Sequence, residues 1–149
     1  MIRKAKMSDV FEIKALINSY ASEGCMLPRS LDSLYTTIRD FMVCEENGKI
    51  IGCCGIHPDW EDLGEVVSFA VVRGRTHQGI GTQLLNACIK DAKTVGLNRL
   101  FVLTSSPLFF KKKGFDEINR EELPWKIWAD CVNCSKYPDC DSVSLIQEI

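Results

Sequence analysis

Gly79 and Gly81 close a polar loop, Arg73-Gly74-Arg75-Thr76-His77-Gln78, that leads from an apolar run into a segment of helical periodicity. A strand that enters a helix through glycines gathers backbone N–H groups and the positive end of the helix dipole at one place, which is an anion site. Without side chains at 79 and 81, a diphosphate can approach the backbone closely. The residues offered to such an anion are Arg75, Thr76, His77, Gln78, Gly79, Ile80, Gly81 and Thr82. The loop lacks the Gly-Lys-Ser/Thr ending of a Walker loop and is not a full dinucleotide fingerprint. Two glycines placed only for packing would read the same way. Arg29, in Gly24-Cys25-Met26-Leu27-Pro28-Arg29-Ser30-Leu31, is able to clamp a carboxylate through a bidentate pair, or is a surface arginine.

Cysteine is the other reactive type, with eight in 149 residues. Cys53, Cys54 and Cys88 lie in apolar stretches and are expected as small core residues. Cys131, Cys134 and Cys140 crowd together near the end. Three thiolates are one short of a structural zinc site, and the fourth ligand would have to come from Cys25, Cys44, His57, Asp141 or elsewhere. Packed or partly exposed thiols are the expectation there, and no metal is assigned.

The elements that position these groups follow from periodicity. A strand over Ile2–Ala5 precedes a helix capped at Ser8-Asp9, with Val10, Ile13, Leu16 and Ile17 on one face. Ser30 caps a second helix carrying Leu31, Leu34, Tyr35 and Ile38. Phe41–Cys44 and Ile50–Ile56 flank Asn47-Gly48, a hairpin signal. Glu65–Val72 reads as a central strand, and Gly79–Val95 as a helix stopped by Gly96. Strands over Leu100–Leu103, Phe115–Ile118 and within Ser142–Ile149, with short helices at Pro107–Lys112 and Trp125–Ala129, complete a mixed sheet flanked by helices.

The chain is 46% hydrophobic and 26% charged, ordinary for one globular domain over 1–149 with a cysteine-rich segment at about 123–141. Its formal charge of −2 gives no broad electrostatic attraction to nucleic acid. No apolar run approaches the roughly 20 residues that span a bilayer. The basic start, Met1–Lys6, is not followed by a signal-peptide apolar stretch, so a cytoplasmic protein without membrane or nucleic-acid partners is expected.

Three segments together carry a wider resemblance. Glu65-Val66-Val67-Ser68-Phe69-Ala70-Val71, Gln78-Gly79-Ile80-Gly81-Thr82-Gln83-Leu84-Leu85 and Phe109-Phe110-Lys111-Lys112-Lys113-Gly114-Phe115 resemble the central strand, acyl-CoA loop and late helix of the GNAT superfamily of N-acetyltransferases. That resemblance implies an α/β (α+β) fold with a mixed, mostly antiparallel central sheet, and an acyl-CoA cleft between two parallel strands. Acetyl-CoA would be the cosubstrate, its pyrophosphate on the amides of Gln78–Thr82 and its pantetheine paired with Phe69, Ala70 and Val71 by strand addition. A backbone N–H near Val71 would polarise the thioester carbonyl. Thr76 stands where family members usually carry Arg or Gln, with Arg75 adjacent.

Acetylation needs a neutral amine, so a base within reach helps. Some family members place a glutamate where Glu65 starts the central strand, and His57 is the alternative base. Phe110 occupies the position of the family's acid tyrosine, so no tyrosine acid is assigned. Met26–Ser30, the Phe109–Phe115 ending and Leu123–Trp128 are similar to short amino-acid acetyltransferases of the N-acetylglutamate synthase type. L-glutamate is then the implied acceptor, held by Arg29, in arginine biosynthesis; longer synthases add an amino-acid-kinase-like domain that has no room here. Acetylation of a polyamine, an antibiotic or a peptide, and a CoA-binding module without turnover, are the alternatives. A homodimer is compatible with the family.

Overall fold

A computed structural model describes residues 1–124 and 142–149. Among these residues the strands are β1 (Ile2–Lys4), β2 (Phe41–Glu46), β3 (Lys49–Pro58), β4 (Leu63–Val71), β5 (Arg99–Thr104), β6 (Asp116–Glu117) and β7 (Val143–Glu148). The helices are α1 (Val10–Ala21), α2 (Leu31–Thr36), α3 (Ile80–Thr94) and α4 (Pro107–Lys112). The expected helix at 125–129 and the cluster Cys131, Cys134 and Cys140 lie outside the described residues.

The strands form one sheet in the order β1-β2-β3-β4-β5-β7-β6. All neighbours are antiparallel except β4 and β5. Asn47 and Gly48 take φ of 53° and 77°, the paired positive values that a tight hairpin between right-twisted strands requires. The mixed, mostly antiparallel sheet flanked by helices is therefore as expected. The strand anticipated over Phe115–Ile118 shortens to two residues, because Phe115 turns into the core instead.

Each face of the sheet has its own core. Ile80, Leu84, Leu85, Cys88 and Ala92 of α3 pack on Cys54, Ile56, Val66, Leu100 and Val102. On the other face Val10, Ile13 and Ile17 of α1, with Leu34 of α2, cover Phe41, Val43 and Cys53. Adjacent strand residues point to opposite faces, which divides Cys53 and Cys54 between the two cores. Burial pushes the Cys53 thiol up to about 12 and raises that of Cys54 as well, so neither is a thiolate nucleophile near neutrality.

The entry to α1 differs from the expected cap. Asp9 does stand at the N-cap position of α1, but its side chain makes no cap hydrogen bond there; with Ser8 it belongs to a single 3₁₀ turn, Met7–Asp9, that leads into the helix. The Asp9 carboxylate reaches back instead, accepting from the Lys6 backbone N–H at 2.7 Å and bidentately from Arg3 at 2.8 and 3.0 Å. At α2 the cap is as read, with Ser30 Oγ accepting from the Ser33 N–H at 3.1 Å.

Candidate active site

The parallel pair β4 and β5 stays in register only over Leu63–Arg99, Gly64–Leu100 and Glu65–Phe101. Beyond Glu65 the two strands run on without pairing and leave a V-shaped opening. A bulge in β4 helps to open it. Gly55 pairs with Val67 and Cys53 with Ala70, so Cys54 faces both Ser68 and Phe69. Ser68 absorbs the extra residue with φ of 51°, a strained value for a side-chain-bearing residue.

The bulge also decides which way the strand end presents its backbone. Val72 N–H donates to the Ile51 carbonyl at 2.9 Å, while Gly52 pairs with Val71. Hydrogen-bonded and non-bonded pairs alternate along an antiparallel ladder, so Val71 turns its own N–H and C=O away from β3, toward the opening. Tyr20, at the end of α1, donates its hydroxyl to that carbonyl, and the Arg73 guanidinium lies 4.2 Å above its ring.

A cavity of about 940 Å³ occupies the opening. Of the residues singled out from the sequence, Arg29, Glu65, Phe69, Ala70, Val71, Arg75, Thr76, His77, Gly79, Gly81 and Thr82 line it. The Ile80 side chain packs in the α3 core, leaving only its backbone for the loop. Gln78 turns to its own loop, accepting from Arg75 Nε at 2.8 Å and donating to the Gly74 carbonyl. Arg75 is further engaged by Glu46, with both guanidinium nitrogens at 2.9 Å from the carboxylate.

The two loop glycines have different reasons. Gly79 is the residue before α3 and has φ of 84°, which a side chain would strain. No side chain caps α3, so the N–H groups of its first turn have no side-chain acceptor. Gly81 makes room for an aromatic wall: a Cβ there would lie 3.3 Å from the Phe69 ring. Phe69, Phe109 and Phe110 meet edge-on or tilted, with centroids 5.1–5.8 Å apart. Phe110 thus fills the acid-tyrosine position as packing.

Arg29 lines the same cavity. Its Nε donates to Ser33 Oγ at 2.9 Å, Nη1 to Ser68 Oγ at 3.0 Å and Nη2 to Thr37 Oγ1 at 2.9 Å. Its guanidinium lies 5.7 Å from the centroid of the Phe41 ring. Burial pulls its pKa below the ordinary arginine range, and the charges of Asp40 and Glu65 oppose that at longer range. Glu65, half-buried, is paired across the β3–β4 ladder with His57, whose Nδ1 lies 2.7 Å from Asp40 Oδ2.

Residues 8–115 match the sequence profile of the Acetyltransferase (GNAT) family. The chain belongs to that family. As a GNAT N-acetyltransferase it takes acetyl-CoA as its cosubstrate. It is 38% identical to an uncharacterized N-acetyltransferase of Chlorobaculum tepidum over 99% of its own length and 96% of the relative's. It is also 38% identical to an amino-acid acetyltransferase of Mycobacterium tuberculosis, over 92% of this chain and 79% of that one. The N-acetylglutamate synthase of Neisseria gonorrhoeae, solved with coenzyme A and N-acetyl-glutamate, superposes with a TM-score of 0.91 at 30% identity. That match covers 99% of this chain and 34% of the synthase, so the GNAT chain spans about a third of it.

Sequence reasoning missed several residues of this GNAT cleft. Tyr20 continues the helical spacing from Ile13 and Ile17, but nothing local shows that its hydroxyl meets residue 71. Lys112, Lys113 and Arg120 border the cavity as well. Among the described residues no cluster of three or more His, Cys, Asp or Glu is placed to hold a metal. Nor is any described helix long and apolar enough to cross a membrane.

Proposed function

We propose that this GNAT enzyme transfers the acetyl group of acetyl-CoA directly to the α-amino group of L-glutamate, in the cytoplasm and as a step of arginine biosynthesis. The carrying observation is Arg29. It is a half-buried cation on the cavity wall whose hydrogen bonds, among the described residues, go to three neutral hydroxyls. A guanidinium has five N–H donors, so donors on both Nη atoms remain for an incoming oxygen pair. Taking a cation out of water is costly unless an anion joins it, and an amino-acid carboxylate does so bidentately. A polyamine would instead bring like charge.

The wider cavity agrees with an anionic acceptor. Among the described residues its lining carries Arg29, Lys112, Lys113, Arg120 and the Glu46-paired Arg75, with Glu65 the one carboxylate. Such a lining concentrates both the phosphates of CoA and a dicarboxylate. In this reading the amides of 78–82 hold the pyrophosphate, the exposed edge of Phe69–Val71 pairs with the pantetheine, and Val71 N–H meets the thioester oxygen as charge develops there. Glu65 removes the ammonium proton so that the amine can attack. The departing thiol has a pKa of about 8.5, so it leaves as thiolate without help from residue 110.

Acetyl-CoA consumption, followed by loss of thioester absorbance with the product confirmed by mass, tests the reading. L-glutamate should yield N-acetylglutamate well above the product from aspartate, lysine or spermidine. Preference for lysine or spermidine would overturn the acceptor assignment. Acetyl-CoA binding without transfer to any of the four would make the chain a CoA-binding module.

A further inference from the structure

Acetylation of an ammonium group releases one net proton: the amine loses two and the CoA thiolate takes up one. That proton has to leave a cavity whose base faces inward. We propose that His57, held by Asp40, relays the proton from Glu65 to solvent. His57 is a positioning and relay residue that acts through Glu65, and the inference rests on Glu65 being the base.

The placement is specific. Glu65 of β4 and His57 of β3 are direct partners in an antiparallel ladder, so their side chains share one face of the sheet. Glu65 lines the cavity, whereas His57 does not and its side chain is 44% exposed. The pair therefore spans the wall between cavity and solvent. Asp40, in the turn before β2, is 18% exposed and lies 2.7 Å from His57 Nδ1. An ionised carboxylate only accepts, so Nδ1 carries the hydrogen and Nε2 keeps a lone pair.

The proton balance closes. One ammonium N–H bond breaks as an O–H bond forms on Glu65; the amine then forms the C–N bond, the C–S bond breaks, and the nitrogen's second proton ends on the departing CoA sulfur. The Glu65 O–H then breaks, directly or through one water, as an N–H forms on Nε2. The resulting imidazolium is stabilised by Asp40 and loses its proton to buffer. Arg29 acts electrostatically on both Asp40 and Glu65, and in sequence Asp59 and Glu61 follow β3. The Asp40 and Glu65 carboxylates favour the imidazolium and Arg29 opposes it.

The test has two arms. In the first, the protein's two histidines are followed by NMR through a pH titration, with His57 assigned from its loss in His57→Gln. If Glu65 and His57 are coupled, Glu65→Gln lowers the His57 midpoint, because a favourable negative charge is gone. An unmoved midpoint overturns the relay without any acceptor being needed. In the second, turnover is measured with acetyl-CoA and L-glutamate, or with whichever amine of the panel reacts.

His57→Gln should lower kcat roughly tenfold while leaving acetyl-CoA affinity unchanged, and added imidazole should restore the rate by accepting the proton from Glu65. Asp40→Asn, which keeps the imidazole but removes its anchor, should show a smaller loss with the same response to imidazole. Loss of kcat with no response to imidazole would make His57 merely structural and defeat the relay. Glu65→Gln losing turnover while His57→Gln keeps it would also defeat the relay, yet leave Glu65 as base. Full turnover in Glu65→Gln would remove the base assignment itself.

Discussion

Each of the three guanidinium nitrogens of Arg29 donates to a hydroxyl, and those hydroxyls come from α2, from the residue after it and from the bulge of β4. The planar fork is thereby held in one orientation before any acceptor arrives, which lowers the ordering cost of binding. For the proposed acceptor, L-glutamate, Arg29→Ala should raise the KM by roughly 10–100-fold with acetyl-CoA affinity unaltered, as expected for a lost charged hydrogen bond. Arg29→Lys should recover only part of this, because an ammonium cannot reach three hydroxyls in a plane. Steady-state kinetics with each substrate varied separately would show it, and an unaltered acceptor KM would return Arg29 to a structural role. Arg29 was legible in the sequence as a cation beside a helix cap, but its setting was not. Ser68 has to adopt a positive φ to bring its hydroxyl there, and that φ comes from a two-against-one mismatch with β3. No local pattern of residues encodes a cross-strand mismatch.

At the scale of elements, the sheet and its helices were readable because hydrophobic period and turn chemistry agree over most of the chain. The boundaries that moved are those set by long-range contacts. Asp9 is an instance: spacing makes it a helix cap, whereas Arg3 in β1 draws its carboxylate back toward the sheet. The hydrogen bonds from Arg3 hold that carboxylate below the usual range, with a smaller contribution from the Lys6 N–H. A depressed pKa stabilises the fold above the unfolded value of about 4, and the stabilisation fades as pH falls through the folded value. Asp9→Asn should therefore cost about 1–3 kcal/mol at pH 7, and its deficit against the parent should shrink below about pH 4. Chemical denaturation at several pH values measures both. The loop before α3 offers a second contrast. Gly79→Ala strains a left-handed residue and should lower Tm, by about 1 kcal/mol of stability. Gly81→Ala should leave Tm nearly unchanged, since better helix propensity offsets the crowding, but push the Phe69 ring and weaken CoA binding. Thermal melts with a CoA titration separate the two roles.

Across the whole molecule, the cleft divides the sheet. β1 to β4 carry α1, α2 and the loop into α3, while β5, β7 and β6 carry the other wall. Only three residue pairs of ladder join β4 to β5; Asp62, paired with Arg99, ties their near ends, and apolar packing beneath α3 and α4 adds to the join. A cosubstrate that pairs with the free edge of β4 and sits on the first turn of α3 would bridge the place where the sheet is least closed. Binding to the folded state alone stabilises by about 2.7 kcal/mol at a hundredfold excess over Kd. For a domain of this size that corresponds to a rise in Tm of roughly 5–10 °C. Hydrogen exchange locates the effect: CoA should slow the amides of Val71 and of residues 80–82, which lack partners within the sheet and helix, far more than those deep in β2 and β3. A uniform slowing would mean that CoA acts only by shifting global unfolding. No slowing at Val71 would place the pantetheine away from the strand edge that the bulge exposes.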